Sequence, residues 1–322
     1  GNPDLKWQKT RQLNVGTELA LFQNNLNISM DIYNKVTDNL LTDINLPLSS
    51  GFASYKANVG KVENRGWELY VNGTVLKSRD NSFRWKVGMN MVHNVNRIKE
   101  ISNSLKALND ELSSTSSYNP SFMYKEGESM NTIYAVKSKG IDPSNGKEIF
   151  VKTDGTETYT WDSKDQVACG TTDPKVQGNF NTNVYWKGLS LNMIFGYRCG
   201  GYAYNSALAS KVENILPYDN ADRRALYDRW KQPGDVSNFK SVTDTSKTYA
   251  TSRFIFKDNA FYGSSLSLSY EMPRECIQHI GLEYLKLTAD TEDLFYMSTI
   301  KRERGTSYPF SRKFSLSLTA RF

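Results

Sequence analysis

The chain has 322 residues, a formal net charge of +6 and a mean hydropathy of −0.57, yet 12% of its residues are aromatic. Its 40 basic residues are scattered among 34 acidic ones, which excludes the sustained basic stripe of a nucleic-acid-binding protein. No apolar run approaches the ~20 residues that a membrane-spanning helix requires. This composition is typical of a soluble β-sandwich or of an outer-membrane β-barrel, because a barrel needs only a thin apolar band outside.

Apolar and polar residues alternate with a period of two along nine segments, which predicts strands with one apolar face. The first pair runs from Leu13 to Leu21 and from Leu26 to Ile32, around a Gln-Asn-Asn turn. The other segments cover about 61–76, 83–94, 176–186, 188–198, 261–271, 281–289 and 313–322. The sequence therefore predicts an all-β fold of antiparallel strands.

The connections between these segments alternate in length. The short turns fall near 23–25, 77–82, 187–188 and 272–280. The long loops fall near 37–60, 95–175, 199–260 and 290–312. All long loops therefore lie at one edge of the sheet, and this asymmetry of long extracellular loops and short periplasmic turns favours a transmembrane β-barrel segment.

Nine strands leave two open edges, whereas bacterial single-chain barrels usually have an even number of strands. The opening GNPDLKW contains no charged and apolar leader. We therefore expect residues 1–322 to be a C-terminal barrel segment of a larger protein, with the signal peptide and plug domain outside it.

Two of the long loops contain local patterns. Ile133 to Val151 holds two strand-like runs around the turn from Asp142 to Gly146. Asp219 is placed to cap a short helix from Ala221 to Trp230, before Gln232-Pro233-Gly234.

The sequence gives little support for metal or enzyme chemistry. Three cysteines and two histidines show no clustered ligand spacing, so we predict no metal site and no cofactor. The nucleophile-elbow, zinc-protease and P-loop motifs are absent. Glu126 and Glu128 flank Gly127 in a loop, where a polar tip is favoured over a catalytic carboxylate pair.

Cys169 and Cys199 both fall at the predicted extracellular end. A disulfide between them is chemically allowed outside the cytoplasm, although sequence does not fix its geometry. Cys276 is expected to be an unpaired thiol in a periplasmic turn.

Aromatic residues are candidates for two roles. Trp186 and Tyr270 lie at predicted periplasmic strand ends, where an aromatic girdle is expected, whereas Trp67 and Trp85 are expected nearer mid-strand. The long loops carry aromatic side chains that suit sugar rings and peptide side chains alike. These substrate-binding candidates are Tyr159, Trp161, Tyr202, Tyr204, Tyr218, Tyr227 and Trp230.

Short motifs in order along the chain resemble one family. They lie at 2–7 (NPDLKW), 31–35 (DIYNK), 59–68, 140–143 (GIDP), 228–230, 233–235, 252–254 and 308–314. The chain resembles the C-terminal barrel region of SusC/RagA-type TonB-dependent transporters. One segment departs from the family pattern, because Asp258 to Gly263 is more polar than the usual Leu-rich run at the start of the seventh strand.

The resemblance implies a 22-stranded barrel in outer-membrane lipid, of which this chain supplies roughly the last nine strands. It implies import of glycan fragments or peptides, powered by the TonB complex through an N-terminal region, and a SusD-like surface lipoprotein as partner. The terminal Phe322 resembles the signal that the barrel-assembly machinery reads. The loop aromatics then have an alternative role, which is to pack the loops together or against the lipoprotein.

A soluble secreted β-sandwich that binds glycans is the alternative hypothesis. The two hypotheses differ in where the apolar strand faces lie. A sandwich buries them against a second sheet, whereas a barrel exposes them to lipid.

Overall fold

The computed structural model describes residues 5–45, 54–58, 60–114, 117, 119–120, 123–215, 222–304 and 309–322. The described residues form β1 (Lys9–Leu21), β2 (Leu26–Asp38), β3 (Leu41–Asn45), β4 (Ser54–Asn58), β5 (Gly60–Lys77), β6 (Phe83–Ile101), β7 (Thr132–Ile141), β8 (Glu148–Val151), β9 (Glu157–Thr158), β10 (Gln166–Thr171), β11 (Val176–Trp186), β12 (Leu189–Tyr204), β13 (Ile255–Glu271), β14 (Tyr284–Ser298) and β15 (Phe314–Arg321). The α-helices are α1 (Asn103–Ser114) and α2 (Arg274–Ile277).

Nine of these strands form one sheet, which we call the wall. Its order is β1-β2-β5-β6-β11-β12-β13-β14-β15, and every neighbouring pair is antiparallel. The nine predicted segments are these nine strands, so the predicted all-β sheet is confirmed. The sheet is a partial barrel with two open edges.

Tight turns at one edge of the wall are made by a few residues with left-handed backbones. Lys187 and Gly188 both have positive φ, 46° and 88°, and together join β11 to β12. Two consecutive residues with left-handed backbones form a type I′ turn. Its backbone twist matches the twist of the two strands that it joins. Phe22, Gln23 and Asn24 have positive φ in the same way between β1 and β2.

The wall strands run further toward the long loops than the apolar alternation predicted. β2 continues to Asp38, β6 to Ile101 and β12 to Tyr204. Backbone pairing continues after the side chains become polar, and a period-two apolar pattern does not report that part of a strand. The polar segment from Asp258 to Gly263 lies inside β13, which begins at Ile255.

Two smaller sheets lie on the long connections. β3 pairs with β4, and a four-stranded sheet has the order β10-β7-β8-β9. The two strand-like runs predicted from Ile133 to Val151 are β7 and β8, and Asn145 and Gly146 donate backbone hydrogen bonds to the carbonyl of Asp142 in the turn between them. Most of the buried apolar residues belong to this part of the molecule, including Ile133, Ala135 and Phe254.

The helix expected from Ala221 to Trp230 is wrong. Asp219 and Ala221 lie outside the described residues, and the chain forms only a 3-10 turn from Arg223 to Leu226. Asp222 caps this turn, because its side chain accepts the backbone N–H of Arg224. The turn ends where Tyr227 becomes extended and Asp228 adopts a φ of +55°, which an α-helix does not accommodate.

Candidate functional site

The outward face of the wall is apolar and exposed. Residues that pair directly across antiparallel strands share a face. One outward row crosses eight strands as Leu19, Ile28, Val71, Met89, Phe180, Phe195, Gly263 and Phe295. Rings of Phe180 and Phe195 stack at 6.0 Å, and rings of Phe261 and Phe295 lie 5.6 Å apart. Ile32, Leu268 and Leu316 on this face are 55%, 41% and 88% exposed, so no second layer of described residues covers it.

The height of the apolar face matches a bilayer. β6 carries six outward positions from Phe83 to His93, which are ten residues apart. At about 3.3 Å per residue and a tilt near 40°, this span is about 25 Å across a membrane. The outward apolar face therefore has the dimension of the lipid-facing band of an outer-membrane barrel.

Aromatic residues mark the short-turn edge of this band. Trp186 and Tyr270 are outward and exposed, and Trp186 pairs with Leu189, which in turn pairs with Tyr270. Trp85 belongs with them and does not lie mid-strand, because β6 begins only two residues earlier at Phe83. Its indole Nε1 donates to Oγ1 of Thr182 at 2.8 Å. Trp67 lies in the opposite half of the band, near His93.

The inward face is polar. One inward row crosses seven strands as Ser29, Tyr70, Asn90, Asn179, Gly196, Tyr262 and Tyr296. Tyr262 and Tyr296 stack at 5.6 Å, and Nη2 of Arg198 donates to the Tyr296 hydroxyl at 2.8 Å. Amide, hydroxyl and guanidinium groups suit a water-filled interior, in contrast to the other face of the same strands.

A second structural unit sits at the long-loop edge, and we call it the loop layer. It comprises the described parts of 102–175 and 205–254. A bridge between Val136 and Thr251 and a hydrogen bond from Ser138 N to Ser252 Oγ join its two connections. Unlike the wall, this unit has a buried apolar interior, in which Phe254 is 1% exposed.

Arg253 is the central charge of the loop layer. Its Nη2 lies 2.8 Å from Oε2 of Glu148 on β8 and 2.6 Å from Oε1 of Glu213. All three side chains are almost fully buried. Burial alone lowers the pKa of this guanidinium, but the two carboxylates outweigh it and the net pKa shift is upward. Arg253 thus ties both connections of the loop layer together through charges that are almost completely buried.

Two further buried cations are satisfied by backbone oxygens. Arg229 donates to the carbonyls of Ala225 and Lys240 at 2.7 and 2.8 Å, and also to those of Val212 and Glu213. The Lys240 ammonium donates to the carbonyl of Ser246. Burial lowers the pKa of both groups. These hydrogen bonds connect residues 212–213, 225, 240 and 246 within the described parts of this connection.

Two of the predicted substrate-binding aromatics hold the Asp142–Gly146 turn. The Tyr159 hydroxyl donates to Oδ2 of Asp142 at 2.5 Å, and this bond lowers the pKa of Asp142 and raises that of Tyr159. Trp230 donates from Nε1 to the Pro143 carbonyl at 2.9 Å, and its ring lies against Gly146. Trp230 acts as a brace, whereas the ring of Tyr159 remains half exposed.

The other candidates divide between packing and exposure. Trp161 donates to the Ala250 carbonyl at 3.1 Å and packs on Tyr249. Tyr202 lies over Gly170, and Tyr204 meets Phe254 edge to face. Tyr227 is exposed, and Tyr218 lies outside the described residues. The structure therefore leaves Tyr159 and Tyr227 as the two candidates with open faces.

The disulfide that the sequence left open between Cys169 and Cys199 is not formed, and all three cysteines are free thiols. Cys169 sits on β10 of the loop layer, where its Sγ is within 3.6 Å of the Ala135 carbonyl and burial raises its pKa. Cys199 lies on β12 of the wall and is exposed. The two cysteines belong to different sheets.

The two glutamates beside Gly127 have structural partners. Glu128 accepts a hydrogen bond from the Tyr134 hydroxyl, whose pKa is raised by burial and by this carboxylate. Oε1 of Glu126 accepts the Ile101 backbone N–H at 3.2 Å. Across the described parts of the chain, no group of three or more His, Cys, Asp or Glu is arranged to hold a metal ion. The described helices also include none that is long and apolar enough to cross a membrane.

Sequence reasoning missed the buried ion cluster, because Glu148, Glu213 and Arg253 are far apart in the chain. A weak signal was present, since Ser252 to Phe254 was one of the family-like motifs. Phe322 follows the end of β15 and is exposed at the short-turn edge.

Comparisons with known proteins agree with this architecture. A family model described as TonB dependent receptor-like, beta-barrel matches residues 1–121. TonB-dependent receptor P3 of Formosa agariphila is 24% identical across 100% of this chain and 35% of its own length. TonB-dependent receptor SusC of Bacteroides thetaiotaomicron is 25% identical over 66% of this chain and 21% of its own length.

A solved structure of the RagAB peptide transporter superposes with a TM-score of 0.82 at 22% identity, covering 99% of this chain and 36% of that one. The chain spans about a third of the length of this structure and of the P3 receptor. These relatives are named as receptors and as a transporter. The matched barrel model, the receptors aligned along the chain and a sheet with a lipid-sized apolar face agree: the chain is similar to TonB-dependent receptors of the SusC/RagA type and has the fold of part of their outer-membrane β-barrel.

Proposed function

We propose that this chain supplies wall and substrate-facing outer loops to a TonB-dependent importer of glycan fragments or peptides. The observation that carries the proposal is the contrast between the two faces of the wall. A sheet that is apolar outward and amide-rich inward separates lipid from an aqueous path. The soluble sandwich requires the opposite arrangement, with the apolar face covered.

The loop layer supports the substrate-facing role. It sits at the end of the wall where the long connections meet, and its interior is held by Arg253, Arg229 and their partners. A binding surface on such a rigid base loses little conformational freedom when a ligand binds. Tyr159 and Tyr227 are the side chains that we propose for contact with substrate. A SusD-like lipoprotein is proposed as the partner that closes over this surface, with TonB acting through the rest of the protein.

The substrate class stays open between glycan fragments and peptides. RagAB is a peptide transporter, but at 22% identity the likeness of this chain to it extends to the fold alone. The loop layer offers a cavity of about 610 Å³ lined by Ser206, Asn214, Asp244 and neighbouring polar residues. Hydroxyl, amide and carboxylate groups bind either class.

Uptake by whole cells tests the proposal. Cells that express the full-length protein and its partner are compared with cells lacking it, using labelled glycan fragments and labelled peptides. We expect uptake of one class that stops when TonB is deleted. Correct insertion in the outer membrane with uptake of neither class contradicts the proposed function.

A further inference from the structure

Above the lipid-facing band, the outward face of β1, β2, β5 and β6 changes from apolar to basic. The last fully apolar row is Val15, Ile32 and Trp67, with His93 beside them. The next row toward the long loops pairs Asn34 with Arg65. The change begins within one row, about 7 Å along the strands.

Basic residues outnumber acidic ones on this outward surface. Contacts and strand register place six basic residues there, namely Lys9, Arg11, Lys61, Arg65, Arg97 and Lys99. The acidic residues of the same surface are Asp38, Glu63 and Glu100. The surface, which we call the basic rim, therefore carries an excess of three positive charges.

Two acidic residues of the rim are each shared between cations. Asp38 lies 3.0 Å from Arg11 and 3.2 Å from Lys61, while Glu63 lies 2.8 Å from Lys99 and 3.8 Å from Arg65. The Arg11 side chain is still 74% exposed, and that of Arg65 is 52% exposed. Donors on these cations therefore remain available to an outside anion.

An apolar groove of about 450 Å³ lies directly against the rim. Its lining combines apolar residues of the last rows with Arg65 and Asn34, and includes Leu13, Val15, Ile32, Trp67 and Val95. The groove opens on the outward face and is continuous with the lipid-facing band. A groove that is apolar at one end and cationic at the other has the chemistry of an acyl chain joined to a phosphate.

We propose that this groove and the basic rim bind a phosphate-bearing glycolipid of the outer leaflet. An acyl chain lies against Ile32 and Trp67, and the phosphate accepts hydrogen bonds from Arg65 with Lys99 or Arg11. Charge complementarity and continuity with the lipid-facing band both favour a lipid occupant. The proposal rests on the proposed function in one respect, which is that the long-loop edge faces the cell exterior.

The test uses the full-length transporter, stripped of lipid in detergent and titrated with deep-rough lipopolysaccharide by native mass spectrometry. We expect specific binding that weakens when the same glycolipid is enzymatically dephosphorylated. Equal binding of the phosphorylated and dephosphorylated forms overturns the proposal without any variant. Equal binding of phosphatidylglycerol also overturns it, because the rim then has no preference for the outer-leaflet lipid.

Paired variants locate the site. Removing one charge from a cluster near a lipid surface weakens binding about fivefold, so R65Q together with K99Q is expected to weaken it about 25-fold. The matched control is K77Q with R79Q, two exposed basic residues at the short-turn edge. Unchanged binding in R65Q/K99Q, or an equal loss in the control, contradicts the site.

Two readouts keep this test separate from the proposed function. Substrate uptake by R65Q/K99Q is expected to match that of the parent, because neither residue faces the lumen. External protease cleavage of the loop layer in intact cells reports which edge faces outside. Loss of glycolipid binding with normal uptake supports the lipid site, whereas failure of uptake in the parent itself concerns the proposed function alone.

Discussion

The wall and the loop layer of this chain obey opposite rules for the same residue types. In the wall, leucine, phenylalanine and methionine are outward and uncovered, and amides and hydroxyls line the other face. In the loop layer, apolar residues such as Ile133 and Phe254 are buried, and even the charges of Arg253 and Glu213 are sequestered. The wall exposes its apolar side chains, as a surface in contact with lipid does. The loop layer buries its apolar side chains, as a water-soluble domain does.

The two regions therefore draw their stability from different sources. The wall depends on hydrogen-bonded strand pairs and on the surrounding bilayer. The loop layer depends on a buried apolar core and on the pairing of buried charges. A single substitution is thus expected to damage one region and leave the other intact.

The largest effect is expected for Arg253→Met in the full-length protein. The change leaves Glu148 and Glu213 buried without their cation, which costs about 3–5 kcal/mol. We expect faster hydrogen exchange in β7, β8 and 205–254, with unchanged exchange in the wall strands. Arg223→Met, at an exposed arginine, is the control. Loss of protection across wall and loop layer together contradicts the separation of the two regions.

The wall is tested by an arginine placed on each face. Met193 is outward and pairs with Leu266, whereas its neighbour Asn192 is inward and pairs with Asn183. Met193→Arg is expected to lower the free energy of unfolding by about 2–4 kcal/mol, because it puts a charge near the bilayer midplane. Asn192→Arg is expected to have little effect. Urea titration in bilayers measures both, and equal losses argue against the assigned faces.

Bracing aromatics and binding aromatics are separated by a third pair of variants. Trp230→Phe removes the hydrogen bond to Pro143 and is expected to cost the loop layer about 0.5–1.5 kcal/mol. Tyr227→Ala is expected to leave that stability within about 0.5 kcal/mol but to weaken substrate binding severalfold. Calorimetric titration with the transported substrate reports the second effect. The roles are reversed if only Trp230→Phe weakens binding.

The smallest effect is a pH dependence at Asp222. Its carboxylate is bonded to Arg224, which lies 2.7 Å from Glu303, and this pairing lowers the Asp222 pKa to about 2. A depressed pKa stabilises the fold above the unfolded value of about 4 and loses that contribution as pH falls toward 2. Asp222→Asn is therefore expected to melt at a lower temperature than the parent at pH 6, with the difference shrinking as the pH falls through about 2. A constant difference across this range contradicts the assignment.

Much of the wall is predictable from sequence, because period-two alternation and tight turns are local signals. The alternation around Leu19, Ile28 and Val71 is enough to assign these residues to the apolar face, even when the neighbouring strand is not known. The upper strand ends do not, since at Asp38 or Tyr204 pairing continues on polar side chains. The loop layer is harder to predict still. Arg253 forms ion pairs with Glu148 and Glu213, which are 105 and 40 residues away in the sequence. No local sequence pattern predicts such long-range contacts.

The same reason explains the outcome for the site candidates. Trp230 and Trp161 were chosen as substrate-binding candidates because they are aromatic residues in long loops. Their indole hydrogen bonds to Pro143 and Ala250 involve segments about 90 residues away in the sequence. Trp85 was placed too near mid-strand, although the strand predicted from residue 83 already puts it two residues from the short-turn end, as in β6. Sequence ranks residues by chemistry, and the fold decides which of them are free to act.

The most direct test scans spin labels along 265–270 of β13 in the full-length protein, reconstituted in bilayers. We expect labels at Leu266, Leu268 and Tyr270 to collide with dissolved oxygen in the lipid, while labels at Ser265, Ser267 and Ser269 do not. Collision with oxygen at both sets alike, or at the serine positions only, contradicts the claim that this sheet presents its apolar face to lipid.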